Sequence, residues 1–401
     1  MNNHKVLGLK DRIGMKLGPQ ILACAFAVQC VLISSVSHAD LSVSIGAETR
    51  YFTEAEESSG SLFINPEYSW QSDSGDHSFY GEGFARVDDL DDERSYADIR
   101  EALWTYSPGA WEVSAGIGKV FWGVTESNHL VDIVNQTDFA ESPDGEAKLG
   151  QPMLKWSVSQ DWGTVDTFIL PYFRERRFPG IDTPLSGGAA VSDTALYESD
   201  DEETHVDIAA RYSQYFGDWD VGLYYFKGTN REASFVPENF GAPLYDQITQ
   251  LGASVQATLD AWLWKLEVID RDDIQTHFQA VSAGFEYTLY GIADSSADLG
   301  ILFEYNYDSR DEKASTPLQD DVFVAARLTL NDVQDTNFLI GLTQDMQSSE
   351  SRLVFVEANR RLGESFRLVV DARMFDSGTP SDLLYSIRSS DYVSMSLEYF
   401  Y

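Results

Sequence analysis

The chain reads as all-β: a transmembrane, antiparallel, up-and-down barrel of about 18 strands, with 16 as the smaller count. Three observations predict this. Short segments of alternating apolar and polar residues recur along most of the chain. The joints between them alternate between tight-turn residues and longer acidic stretches. The last segment, DYVSMSLEYFY, keeps the alternation up to its final residue, where chain ends are normally loose and polar.

The first element is a leader. Lys5, Lys10, Arg12 and Lys16 precede the apolar run ILACAFAVQCVLISSV, which closes on Ser37-His38-Ala39. Small residues at 37 and 39 suit a signal peptidase, so residues 1–39 read as a cleaved signal peptide and 40–401 as the barrel. A start at Met15 instead of Met1 gives a leader of about 25 residues, nearer the usual length. Both cysteines, Cys24 and Cys30, fall in the leader, which leaves the exported chain without disulfides or thiol chemistry. Loss of the leader's four basic residues and one acidic residue takes the net charge from −37 to −40. That charge excludes nucleic acid as a partner. Beyond the leader no run of ~18 apolar residues occurs, so the body holds no membrane-spanning helix.

Eighteen segments then follow in order. Residues 41–52 place Leu41, Val43, Ile45 and Ala47 on one face, and 61–72, 77–87, 97–106 and 111–120 continue the period of two. Further strands are predicted at 153–159, 164–171, 205–216, 220–227, 249–259, 262–269, 278–290 and 299–307. The series closes with 321–330, 336–342, 351–361, 366–375 and 391–401. Segments 97–106 and 376–391 carry the weakest patterns and leave the count between 16 and 18. Tight turns read from SDSGD, SPGA, QDWG, FGDW, LDAW and RLGES, whereas TEAEESSG, DLDDERS and the stretches near 127–150 and 172–204 are long and acidic. Short turns at one rim and long loops at the other are what a closed membrane barrel requires. Aromatics near strand ends (Trp104, Tyr106, Trp111, Trp156, Trp162, Trp219, Trp262) fit two interfacial girdles.

The terminal ladder of Val393, Met395, Leu397, Tyr399 and Tyr401 would face lipid if the last strand pairs with the first. It resembles the C-terminal signal of Gram-negative outer-membrane proteins. That resemblance implies recognition by the barrel-assembly machinery, residence in the outer membrane, and contact with its lipid and lipopolysaccharide. A soluble β-sandwich or propeller ending on an edge strand is the alternative.

The third external loop, about 121–152, carries Glu126, Asp132, Asp138, Glu141, Asp144 and Glu146 against a single Lys148, and its centre, HLVDIV, is apolar enough to dock on a wall. The arrangement resembles porins, in which the third loop folds inward. It implies passive passage of small hydrophilic solutes or ions through an acidic constriction. A loop lying over the outer mouth is the plainer reading. Arg100, Arg211, Lys265, Arg327, Arg367 and Arg373 sit within strands among apolar neighbours. A cation facing lipid at mid-depth costs ~2–4 kcal/mol, so these should line the lumen. They would either set a field across the pore or simply pair with Glu82, Glu267, Glu304, Glu357 and Asp371. The fourth loop, about 172–204, groups Arg174, Arg176 and Arg177, which suits an anionic solute or a lipopolysaccharide phosphate, or pairing with Glu175 and residues 200–203.

Catalysis finds little support. Outside the leader there are only His77, His129, His205 and His277, and the best pair, His129 with Asp132, has no nucleophile motif nearby. An enzyme with a rim active site and a non-conducting adhesin or scaffold barrel are the competing classes. A TonB-coupled transporter is disfavoured, because a strand begins almost at Asp40 and leaves no length for a plug. No cofactor is expected, although the acidic external loops offer ligands to Ca²⁺ or Mg²⁺. NQT at 135–137 matches a glycosylation sequon by pattern only. A homotrimer would use the small residues of the first strand or of the Ala253/Ala257 strand.

Overall fold

Alternation lets a strand show one face to lipid and the other to water, but in lipid every backbone polar group also needs a partner. The computed structural model, which describes residues 39–235, 241–274 and 276–401, meets that demand by closing a single 18-stranded antiparallel sheet on itself. The leader expected over 1–39 lies outside these residues, apart from Ala39. The strands are β1 (Ala39–Phe52), β2 (Glu57–Gln71), β3 (His77–Asp88), β4 (Tyr96–Tyr106), β5 (Trp111–Gly118) and β6 (Gln151–Gln160). Next come β7 (Gly163–Leu170), β8 (Asp207–Phe216), β9 (Trp219–Thr229), β10 (Gln247–Leu259), β11 (Trp262–Asp272) and β12 (His277–Leu289). The last six are β13 (Asp298–Asp308), β14 (Asp320–Thr329), β15 (Asn337–Asp345), β16 (Arg352–Leu362), β17 (Phe366–Asp376) and β18 (Tyr392–Phe400). Segment 97–106 is a strand, whereas the stretch between β17 and β18 holds a 3-10 turn, Leu383–Ile387. That fixes the count at 18.

Closure joins β1 to β18, from Ser44 opposite Phe400 to Phe52 opposite Tyr392, and Val43 and Tyr401 exchange backbone hydrogen bonds of 3.2 and 3.0 Å. Val393, Met395, Leu397 and Tyr399 all point outward, while Tyr392, Ser394 and Ser396 between them are buried. The same alternation runs through β1, where Tyr51 is 47% exposed and Arg50 only 6%. At the rim that carries both chain ends the turns are short. Those at 161–162, 217–218 and 260–261 have two residues, and the last two use a left-handed backbone at Gly217, φ +63°, and Asp260, φ +55°. The opposite rim carries the long joints 119–150, 171–206, 230–246, 309–319 and 377–391.

One irregularity matters for the interior. β3 and β4 change register between Glu82 and Gly83, which pair with Glu101 and Ile99 and leave Arg100 as the extra residue of a bulge. Both Arg100 and Glu101 thereby reach the lumen side. Arg100 donates to the Lys148 carbonyl at 3.0 Å, and Glu101 lies 3.8 Å from Lys119 Nζ.

Candidate channel constriction

Segment 119–150 leaves the strand pattern because its apolar residues cluster instead of alternating. Trp122, Val131, Ile133 and Val134 are all buried against Phe168 of β7, Tyr224 and Phe226 of β9, Ile248 of β10, Ile269 of β11 and Phe278 of β12. Trp122 stacks edge-on against Phe168, with ring centroids 5.7 Å apart, and lies 5.2 Å from Tyr224. The wall makes room for this: a Cβ on Gly252 would stand 3.0 Å from Val131 Cγ1.

The polar residues of the segment reach strands on other sides of the barrel. Glu126 pairs with Arg327 of β14 at 2.6 Å and Lys265 of β11 at 3.6 Å. Glu141 pairs with Arg86 of β3 at 2.7 Å, and Asp144 with Arg373 of β17 at 2.8 Å. Asp138 is fully buried, takes a 2.8 Å hydrogen bond from the Tyr96 hydroxyl, and lies 3.2 Å from Arg177 and 3.5 Å from Arg100. Asp132 stays inside the segment, 3.2 Å from Lys148 Nζ. Of the six acids read from the sequence, Glu141, Asp144 and Glu146 line a large cavity; Glu126, Asp132 and Asp138 do not.

That cavity, about 740 Å³, lies between residues 141–146 and the wall built by β1–β4 and β16–β18. Arg100, Arg367 and Arg373 line it, as do Arg50, Arg86 and Arg94, which the sequence reading missed. Arg50 and Arg86 carried the same signal as the residues chosen, a basic side chain between outward neighbours. Arg94 sits in the acidic joint DLDDERS, where no period exists to place it. All three surround Glu48, at 3.5 Å (Arg50), 3.1 Å (Arg86) and 2.8 Å (Arg94). Lys265 and Arg327 serve Glu126 elsewhere in the interior, and Arg211 lies over the Tyr224 ring at 5.7 Å.

The wall acids divide in two. Glu357 and Asp371 pair with Arg373 at 2.8 and 3.2 Å, and Glu82 with Lys119 at 2.5 Å. Among the described residues Glu267 and Glu304 pair with no arginine; both accept hydrogen bonds from the segment's own backbone amides. The three arginines of the fourth joint do not converge either. Arg174 binds Asp98 at 2.9 Å, Arg176 donates to Gln136 at 3.2 Å and covers Phe139, and Arg177 binds Asp138. Their partners lie in β4, segment 119–150 and, for Arg177, the Glu93 carbonyl of the β3–β4 joint, not at Glu175 or residues 200–203, so they clamp the fourth joint onto its neighbours. Arg231, also unforeseen, does the same from 230–246, donating to the Val134 carbonyl at 3.1 and 3.2 Å.

No protein-family model and no curated protein matches the chain. Among solved structures it is similar to Pseudomonas aeruginosa OpdQ, at 12% identity and a TM-score of 0.52, over 92% of this chain and 99% of that one. P. aeruginosa OccK11 gives 12% and 0.50, over 90% and 95%. Wzi, a carbohydrate-binding β-barrel of Escherichia coli involved in group 1 capsule assembly, gives 10% and 0.55, over 94% and 87%. The fold is that of a porin-like outer-membrane β-barrel. At these identities the likeness is one of fold alone.

His129 is bonded to Glu146, not to Asp132: its Nε2 lies 3.3 Å from Glu146 Oε1, and its buried Nδ1 has no hydrogen-bond partner among the described residues. Burial pushes the imidazolium pKa down, but the Glu146 hydrogen bond and the charges of Glu146, Glu267 and Asp132 outweigh it, so the pKa is raised. A raised folded-state pKa adds stability that is complete below the unfolded value of about 6.5 and is lost as pH climbs through the folded one. The urea midpoint of the wild type should therefore exceed that of His129→Gln at acidic pH, and the gap should close above neutrality. A gap independent of pH would show that the imidazole contributes packing only. Among the described residues no group of three or more His, Cys, Asp or Glu side chains is arranged to hold a metal ion.

Proposed function

We propose that the protein is an outer-membrane diffusion channel for small hydrophilic solutes, narrowed by segment 119–150 and biased toward cations. One observation carries the reading: a cavity of about 740 Å³ lies between the acidic edge of that segment and an arginine-bearing wall, while the apolar half of the same segment packs against β7–β12. Opposed charges across a narrow, low-dielectric passage act strongly on a passing ion or dipole. The sign follows from the lining, where nine carboxylates face six guanidiniums, and from the overall excess of acid. The Glu146 side chain is 61% exposed, so its charge is available to solutes.

The test is current through single molecules in a planar bilayer under a salt gradient. Discrete steps with a cation-biased reversal potential are expected. Discrete steps with an anion bias would transfer control of selectivity to the wall arginines. A folded barrel that passes no current would end the channel reading.

A further inference from the structure

From the wall acids that no arginine neutralises, and building on the channel reading, we infer that Glu267 and Glu304 are the anchors that hold the constriction segment in place. Both are at most 1% exposed and sit mid-strand on the lumen face of β11 and β13. A carboxylate that deep, with no arginine or lysine paired to it among the described residues, needs its oxygens filled with hydrogen bonds. Segment 119–150 supplies them. Glu267 Oε1 accepts from the amides of Val124 at 2.6 Å and Thr125 at 3.1 Å, with the Thr125 hydroxyl at 2.9 Å, and Oε2 accepts from the amide of Val131 at 3.2 Å. Glu304 Oε1 accepts from the Glu126 amide at 2.8 Å, and Oε2 from the amide and hydroxyl of Ser127 at 2.8 and 2.7 Å.

The sequence is built around this seat. Residues 124–127 offer four consecutive amides, two to each carboxylate, so the chain turns around both with its donors pointing at the wall. Gly284 of β12, opposite Glu304, has no Cβ; one there would stand 2.6 Å from Glu304 Cγ. Gly123 at φ +155° brings the backbone in, and a Cβ there would lie 3.3 Å from Glu267 Oε1. The role is one of positioning. Neither residue lines the cavity; they hold residues 124–131, upstream in the same segment of the cavity-lining residues 141–146.

Glutamine keeps the shape but turns an NH₂ toward amide donors. Hydrogen bonds to a charged group are worth enough that each Glu→Gln change should raise the dwell-time ratio of the undocked, high-conductance level about ten- to a hundredfold. Single-channel records of Glu267→Gln, Glu304→Gln and the double variant read this. Their amides at 124–131 should also lose protection against hydrogen exchange, which is measured on the folded barrel whether or not it conducts. Asn306 Nδ2 donates to Ser127 Oγ at 2.9 Å, so the segment adjoins β13 there, and Ser127→Cys with Asn306→Cys, in a chain whose Cys24 and Cys30 are replaced by serine, is the cysteine pair to oxidise as a reversible lock once thiol titration shows that it closes. In the Glu304→Gln background, oxidation should restore the single low level and reduction should release it. Heat-stable folded variants with wild-type exchange at 124–131 would overturn the anchor assignment while leaving the channel reading untouched. A wild type that does not conduct, but whose variants lose protection, would do the reverse.

Discussion

Arg373→Ala is expected to sharpen cation preference and loosen the barrel at the same time. One guanidinium nitrogen of Arg373 meets Asp144 at 2.8 Å, Glu357 at 2.8 Å and Asp371 at 3.2 Å. Its side chain is 7% exposed, and its single positive charge offsets part of the negative charge of three carboxylates on the cavity wall. Alanine leaves those carboxylates together on the cavity wall. Breaking a buried ion pair costs about 3–5 kcal/mol. The half-open cavity and the 44% exposure of Glu357 place this case at the lower end. Released from Arg373, the Asp144 edge of the segment is free to move, and the added negative charge draws cations. The reversal potential under a salt gradient should shift further to the cation side, the urea midpoint should fall, and Arg373→Lys should recover most of the selectivity by keeping the charge. An unchanged reversal potential in a folded Arg373→Ala channel would mean that solutes do not pass this wall.

The second large effect is expected at Gly116 in β5, where the backbone adopts φ +136°, a region open essentially to glycine. A Cβ there would stand 2.1 Å from the Ala102 carbonyl oxygen of β4, with Leu103 Cα at 3.2 Å. Nothing flexible can yield, because these are backbone atoms of the strand pair that matches Leu103 to Gly116. Strain of ~1–3 kcal/mol and overpacking of ~1–3 kcal/mol act together in Gly116→Ala. The folded, heat-modifiable band should weaken or vanish, and any folded fraction should unfold at lower urea. Gly109→Ala is the control: a Cβ there meets nothing within 4 Å, and the midpoint should not move. Equal midpoints for the two variants would show that β4 and β5 can slide to accept the methyl.

Much of the fold was legible before any coordinates. Each of the eighteen alternating segments coincides with a barrel strand, because period-two burial is imposed locally by the pleat and needs no knowledge of neighbours. The outward ladder from Val393 to Tyr401 and the lumen-facing position of Arg373 followed from the same rule. The bulge at Arg100 did not, since nothing in YADIREALWTY marks where the register slips. Nor did the roles of Glu267 and Glu304. They resembled ordinary partners for arginine, and only the path of residues 124–131 shows that they hold amides instead.

The sequence by itself determined the strands and, away from the bulge at Arg100, the face each side chain takes, since these depend on neighbours one or two residues away and on turn chemistry. The tertiary structure alone decided which charges meet. Glu126 and Arg327 are 201 residues apart in the chain, and Asp144 and Arg373 are 229 apart. Such pairs are set by the curvature of a closed sheet and the course of one long joint inside it, and no local pattern encodes either.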